Sequence, residues 1–168
     1  MRKIVLVVTT LLLLLAVNFT IYQRENLIND GRIVLLELAP VDPRSLMQGD
    51  YMALRFQVAN QAFTGQDLTT LDDGHLVLTL DERDVATFSR FADSTPLADN
   101  EVLLRYRIRN GRSKLATNAF FFQEGVAKDY EKAKFGEFRV APYGEAILSR
   151  MRDKDLSVLG LENAVMKE

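Results

Sequence analysis

The sequence predicts a mainly β fold, an antiparallel sheet in a barrel- or sandwich-like form with one short helix, preceded by an N-terminal transmembrane helix. Three observations predict it. An unbroken apolar run opens the chain, several later segments alternate apolar and polar residues with period two, and Asn110-Gly111 separates two extended runs. At 168 residues, with 48% hydrophobic and 26% charged, the chain fits one ordinary domain plus a short appendage.

The opening run, Ile4 to Tyr22, contains no charge and no glycine, and is interrupted only by Thr9, Thr10, Asn18 and Thr20. At about 1.5 Å per residue it reaches about 28 Å as a helix, close to the hydrocarbon thickness of a bilayer. A cleaved signal would show a shorter apolar stretch followed by small residues in an A-x-A pattern, whereas this chain continues Ala16-Val17-Asn18-Phe19. A buried helix of a soluble protein is not expected, because Leu11 to Leu15 is apolar on every face and the segment starts at the chain terminus behind two cations. Arg2 and Lys3 place the N-terminus in the cytoplasm by the positive-inside rule. The expected organisation is a cytoplasmic segment 1–3, a spanning helix 4–22, a helical juxtamembrane extension 23–31 and an extracytoplasmic domain 32–168. The domain accordingly lies on the side of the membrane away from the cytoplasm.

Beyond the span the helix is expected to stop at Asn29-Asp30-Gly31, where glycine supplies a helix end. Ile33 to Leu38 then reads as a strand ended by Pro40 and Pro43. Met52, Leu54, Phe56 and Val58 alternate with Tyr51, Ala53, Arg55 and Gln57, which predicts one strand across the whole segment. Leu76, Leu78 and Leu80 repeat the pattern, and Asp81 to Asp84 turns into Val85 to Phe91 as a hairpin. A second hairpin pairs Glu101 to Arg109 with Arg112 to Phe122 around Asn110-Gly111, the preferred type I′ turn pair. Asp93 to Asn100 reads as a loop, Asp129 to Phe135 as the short helix, and Glu137 to Val140 and Ala146 to Met151 as extended segments.

Gly49-Asp50-Tyr51-Met52-Ala53-Leu54-Arg55-Phe56 resembles the signature of the GDYxxLxY family of bacterial membrane-anchored proteins, with Phe56 standing where the closing tyrosine is expected. Phe120-Phe121-Phe122-Gln123-Glu124-Gly125 is similar to a second segment of that family, usually nearer Tyr-Phe-Val-Pro-Glu-Gly. With Gly144-Glu145-Ala146, the resemblance runs from about Arg32 to Leu148. It implies an anchored architecture and a companion role beside a multi-pass membrane protein, and it implies no activity.

Composition narrows the chemistry. There is no cysteine, which excludes disulfides, thiolate metal sites and a cysteine nucleophile. His75 is the single histidine and begins a strand on its polar face, where a solvated ring is expected. The net charge of -2 becomes about -4 without Arg2 and Lys3, which argues against nucleic acid as a partner. No metal and no cofactor is implied.

The candidate binding residues are Asp42, Arg44, Asp50, Tyr51, Arg55, Glu124, Arg105 and Arg107. The first four surround a Pro-rich turn, where Asp42 before Pro43 and Asp50 after Gly49 also fit ordinary turn chemistry. Tyr51 is expected on the polar face beside Arg55. Arg105, Arg107 and Arg109 share one strand face, extended across the hairpin by Arg112 and Lys114, and this surface suits anionic headgroups or an acidic partner. Glu124 and Glu145 could pair as acid and base, but their separation in sequence says nothing of their distance. Ser45 would need a buried lysine to act as a nucleophile; Lys114 and Lys128 both fall on polar segments. No catalytic set emerges. The expectation is a non-enzymatic accessory protein that docks a multi-pass membrane partner, with a lipid or envelope-ligand binding module and a hydrolase as alternatives.

Overall fold

A computed structural model describes residues 2–39, 47–48 and 51–160. Asp42, Arg44, Ser45, Gly49 and Asp50 lie outside the described residues. Helix α1 (Arg2–Asp30) is continuous and leads directly into β1 (Arg32–Glu37). Then follow β2 (Met47–Gln48), β3 (Tyr51–Ala53), α2 (Gln57–Phe63), β4 (Gly74–Leu80), β5 (Ala86–Phe91) and β6 (Glu101–Arg109). The chain continues through β7 (Arg112–Leu115), β8 (Ala119–Phe121), α3 (Ala127–Tyr130), β9 (Phe135–Val140) and β10 (Ala146–Arg152).

All strand pairs within the sheets are antiparallel. Their orders are β1-β9-β10, β2-β3-β8 and β5-β4-β6-β7. A bridge between Leu35 and Val85, with Leu35 N–H donating to the Asp84 carbonyl at 2.8 Å, joins the first sheet to the third. On the far side Arg105 N–H donates to the Gly144 carbonyl at 2.8 Å. The result is a curled half-barrel, the barrel-like alternative of the predicted class.

The half-barrel wraps one apolar core. Val34, Leu36, Leu76, Leu78, Leu104, Phe138 and Met151 are buried from strands, and Val58 and Phe63 from α2. Phe63, Phe91 and Tyr106 meet edge to face at 5.1 to 5.9 Å, and Phe56 meets Phe138 at 5.4 Å. Each buried aromatic or aliphatic side chain contributes about 1.5–3 kcal/mol by leaving water.

Three predicted elements need correction. The strand across Tyr51 to Val58 ends at Ala53, and Phe56 is the extended cap of α2. Met52, Leu54, Phe56 and Val58 are all buried, but Val58, Ala62 and Phe63 also recur at helical spacing, and the helix satisfies both patterns. The strand across Arg112 to Phe122 breaks after Leu115, where Ala116 takes a positive φ of 26°. The chain there changes sheets, and β8 pairs with β3. The helix expected over Asp129 to Phe135 spans Ala127–Tyr130, because Phe135 is claimed by β9 between Glu37 and Arg152. With α2, the described domain carries two short helices. The Asn110-Gly111 turn is as expected, with φ of 54° and 66°.

Helix α1 has a mean hydropathy of 2.6 in its most apolar window and is long and apolar enough to cross a membrane. Its residues are exposed from end to end except near Leu27, which is buried against the domain. Arg139 on β9 donates to the Gly31 carbonyl at 3.1 Å, and Arg24 pairs with Glu145 at 3.5 Å. Helix and half-barrel are therefore packed together rather than joined by a linker.

Candidate functional site

The site is built where the β6–β7 hairpin, the β9–β10 turn and the C-terminal part of α1 converge. The turn comes first. Ala141 N–H donates to the Glu145 carbonyl at 2.8 Å and Gly144 N–H to the Ala141 carbonyl at 2.9 Å, closing a tight loop. Gly144 has a φ of 89°, and a Cβ there would lie 2.7 Å from the His75 ring and 3.2 Å from the Arg105 backbone nitrogen. Only glycine meets both demands. The close approach carries Glu145 between Arg24 and Arg105, whose guanidinium nitrogens stand 3.5 and 3.6 Å from its two oxygens.

Two open depressions flank Glu145. One, of about 440 Å³, is lined by Arg24, Arg105, Arg107 and Lys114 together with Asn118 and Glu145. Four cations thus line the groove beside one carboxylate, which pairs with two of them. Arg107 and Lys114 are directly opposite one another across β6 and β7, and neither has an ion-pair partner among the described residues. Like charges so placed repel, and the arrangement favours an anion between them. The other depression, of about 410 Å³, is bordered by Asp73, His75, Arg105, Tyr143 and Glu145. His75 is half-buried there against Gly144 rather than freely solvated.

Arg109 does not join the groove. Its guanidinium donates to both oxygens of Asp73 at 2.7 and 2.8 Å, and Ile108 N–H donates to the same carboxylate at 2.9 Å. The Arg109 hydrogen bonds, then that of Ile108, hold the Asp73 carboxyl down at about 2, and the same pair raises Arg109.

The remaining candidates are scattered. Tyr51 is half-buried with its ring 5.7 Å from that of Phe121, and Arg55 is exposed beyond the end of β3 while its carbonyl accepts from Ala39 N–H. Glu124 is exposed in the turn after β8, next to Gly125 with its positive φ. None of these three lines the basic groove. Asp42, Arg44 and Asp50 lie outside the described residues. Of the five candidates among the described residues, Arg105 and Arg107 meet in one place.

Sequence reasoning missed Arg24, read only as part of a helical extension, and the central position of Glu145. The Gly144-Glu145 pair after a strand was the available signal. It also missed Glu137, a buried carboxylate. Arg152 donates to Glu137 through Nε at 2.6 Å, and Ser149 Oγ donates at 3.0 Å. Among the described residues no group of three or more metal-ligating side chains converges.

Fold and site together define a half-barrel β domain packed onto a helix able to cross a membrane, with a basic groove beside the helix. The chain belongs to the GDYXXLXY protein family, whose model matches residues 13–151. No curated protein and no solved structure matches it.

Proposed function

We propose that this protein is a single-pass accessory protein of the bacterial inner membrane, with a cytoplasmic N-terminus and a periplasmic domain, that docks a multi-pass membrane partner. The observation that carries the reading is the direct packing of α1 onto the half-barrel through Leu27, Gly31 and Arg139. A helix serving only as a tether needs no fixed angle to its domain. A helix that docks beside other helices gains from one, because fixing the angle beforehand lowers the ordering cost of association.

The spanning segment supports the same reading. It is apolar around its circumference, so lipid and apolar protein faces suit it equally. Thr9, Asn18 and Thr20 donate to the carbonyls of Val5, Leu14 and Ala16 within the helix, which lowers the cost of burying them. Packing, rather than side-chain hydrogen bonding by these donors, is then the expected glue.

Extraction of natively expressed protein in a mild detergent tests the proposal. A stable complex with a multi-pass protein is expected, and exchange of residues 4–22 for an unrelated spanning helix should weaken it. Recovery of the single chain alone would overturn the docking role.

A further inference from the structure

We infer that the groove formed by Arg24, Arg105, Arg107 and Lys114 binds the phosphate of an anionic phospholipid headgroup in the leaflet where α1 leaves the membrane. The inference rests on α1 spanning the membrane, and not on any protein partner.

Charge is the first ground. Four cations line the groove, and among the described residues Glu145 is the one carboxylate that lines it with them. Its ion pairs, at 3.5 and 3.6 Å, are longer than the 2.7–2.9 Å typical of well-seated N–H to carboxylate bonds, so both guanidinium groups keep donors for another anion. Arg107 and Lys114, placed face to face, supply the unbalanced half of the site. An anion there relieves their repulsion and accepts hydrogen bonds from both sides.

Position is the second. Arg24 is two residues past Tyr22, about 3 Å further along the helix axis. The headgroup layer on each side of the hydrocarbon core is roughly 5–8 Å deep. A side chain rooted at Arg24 is therefore within the depth of the phosphates, and Glu145, Arg105 and the groove are reached directly from it.

The third ground separates a lipid from a free anion. The basic groove shares Ala116, Thr117 and Ala146 with a depression of about 320 Å³ bordered by the apolar side chains of Phe120, Phe121, Ile147 and Leu148. Phe121 is 73% exposed, an unusual state for a phenylalanine on a strand. A cationic groove that opens onto a row of apolar side chains fits an amphiphile, with phosphate at the cations and glycerol or upper acyl carbons at the rings.

The test uses the purified full-length chain in a mild detergent, offered equimolar phosphatidylglycerol and phosphatidylcholine and analysed by native mass spectrometry. Wild type should retain phosphatidylglycerol about tenfold over phosphatidylcholine. The Arg107→Ala/Lys114→Ala variant should fall to about twofold or less with a melting midpoint no lower than that of wild type, and Glu145→Gln, which frees Arg24 and Arg105 from their carboxylate, should raise the preference. Equal retention of the two lipids by wild type, or an undiminished preference in the double variant, overturns the proposal. Titration with inorganic phosphate separates the sources: saturable phosphate binding without lipid preference would assign the groove to a free anion and overturn the headgroup assignment. An acidic protein segment in the groove would appear as loss of a co-purified partner in the double variant, again without lipid preference. Resistance of the chain to alkaline carbonate extraction checks α1 insertion separately, so a failure there is distinguishable from a failure of the groove.

Discussion

Two carboxylates on one hairpin are treated in opposite ways. Glu137 on β9 has a side chain 3% exposed and is matched by Arg152 and Ser149, while Glu145 at the far end of the same hairpin is 28% exposed and shared loosely between two arginines. Around Glu137 the charges balance within hydrogen-bond distance. The groove beside Glu145 is lined by four cations and that one carboxylate. A buried charge has to be satisfied internally because water cannot reach it, whereas a charge at the rim can be left unbalanced at little cost to folding. The first arrangement holds the fold together, and the second leaves a surface prepared for something else.

The largest expected effect comes from breaking the balanced end. Arg152→Met strips Glu137 of its cation in a buried setting and should cost about 3–5 kcal/mol of unfolding free energy. It also removes the hydrogen bond from Arg152 to the Leu156 carbonyl at 2.6 Å, which ties down the chain after β10. The double variant Glu137→Leu/Arg152→Met should recover much of that loss, since an apolar pair of similar volume needs no solvation. Chemical denaturation of the three proteins measures it. Equal stability of wild type and Arg152→Met would show that the ion pair is not what organises this end of the hairpin.

A smaller effect, with a defined pH signature, comes from Asp73. Its folded-state pKa is held near 2, below the usual 3.8, chiefly by Arg109. A depressed carboxylate pKa contributes stability that is present above about pH 4 and lost as pH falls toward 2. Asp73→Asn should therefore melt below wild type at pH 7, and the two curves should converge between pH 4 and pH 2. A constant difference over that range would remove Asp73 as the source.

Much of the half-barrel was legible because its strands follow simple rules. Leu76, Leu78 and Leu80 are buried where period two puts them, and Asn110-Gly111 turns where its positive φ values are cheapest. What was not legible depended on contacts distant in sequence. Val58 obeys both a strand and a helix pattern, and only packing beside Phe63 and β5 selects the helix. Phe120 to Phe122 looked like a continuation of β7, yet the turn at Ala116 sends it to β3. The groove was half legible: Arg105 and Arg107 were visible as a basic face, but Arg24 lies 81 residues before Arg105 and Glu145 lies 40 after it. No local pattern brings those together. The closure of the half-barrel through Gly144 does.

The smallest effect is also the sharpest, because it sets two arginines of one strand against each other. Arg107 and Arg109 point the same way from β6, and by sequence they are equivalent. Arg109 lies opposite Arg112 but grips Asp73, and the loss of that bidentate pair, with two carboxylates left adjacent, should outweigh the relieved Arg109–Arg112 repulsion, so Arg109→Glu should destabilise the domain. Arg107 faces Lys114 instead, so Arg107→Glu turns a repulsive cross-strand pair into an attractive one and should raise stability by a few tenths of a kcal/mol. The same substitution removes a cation from the groove, so the gain in stability should accompany a loss of anionic-lipid retention. A side chain that weakens the fold while strengthening binding is the pattern expected of a group kept for a ligand. Equilibrium melts of the two single variants, run side by side at low ionic strength, decide it: if both substitutions shift stability in the same direction, the distinction between the two arginines fails.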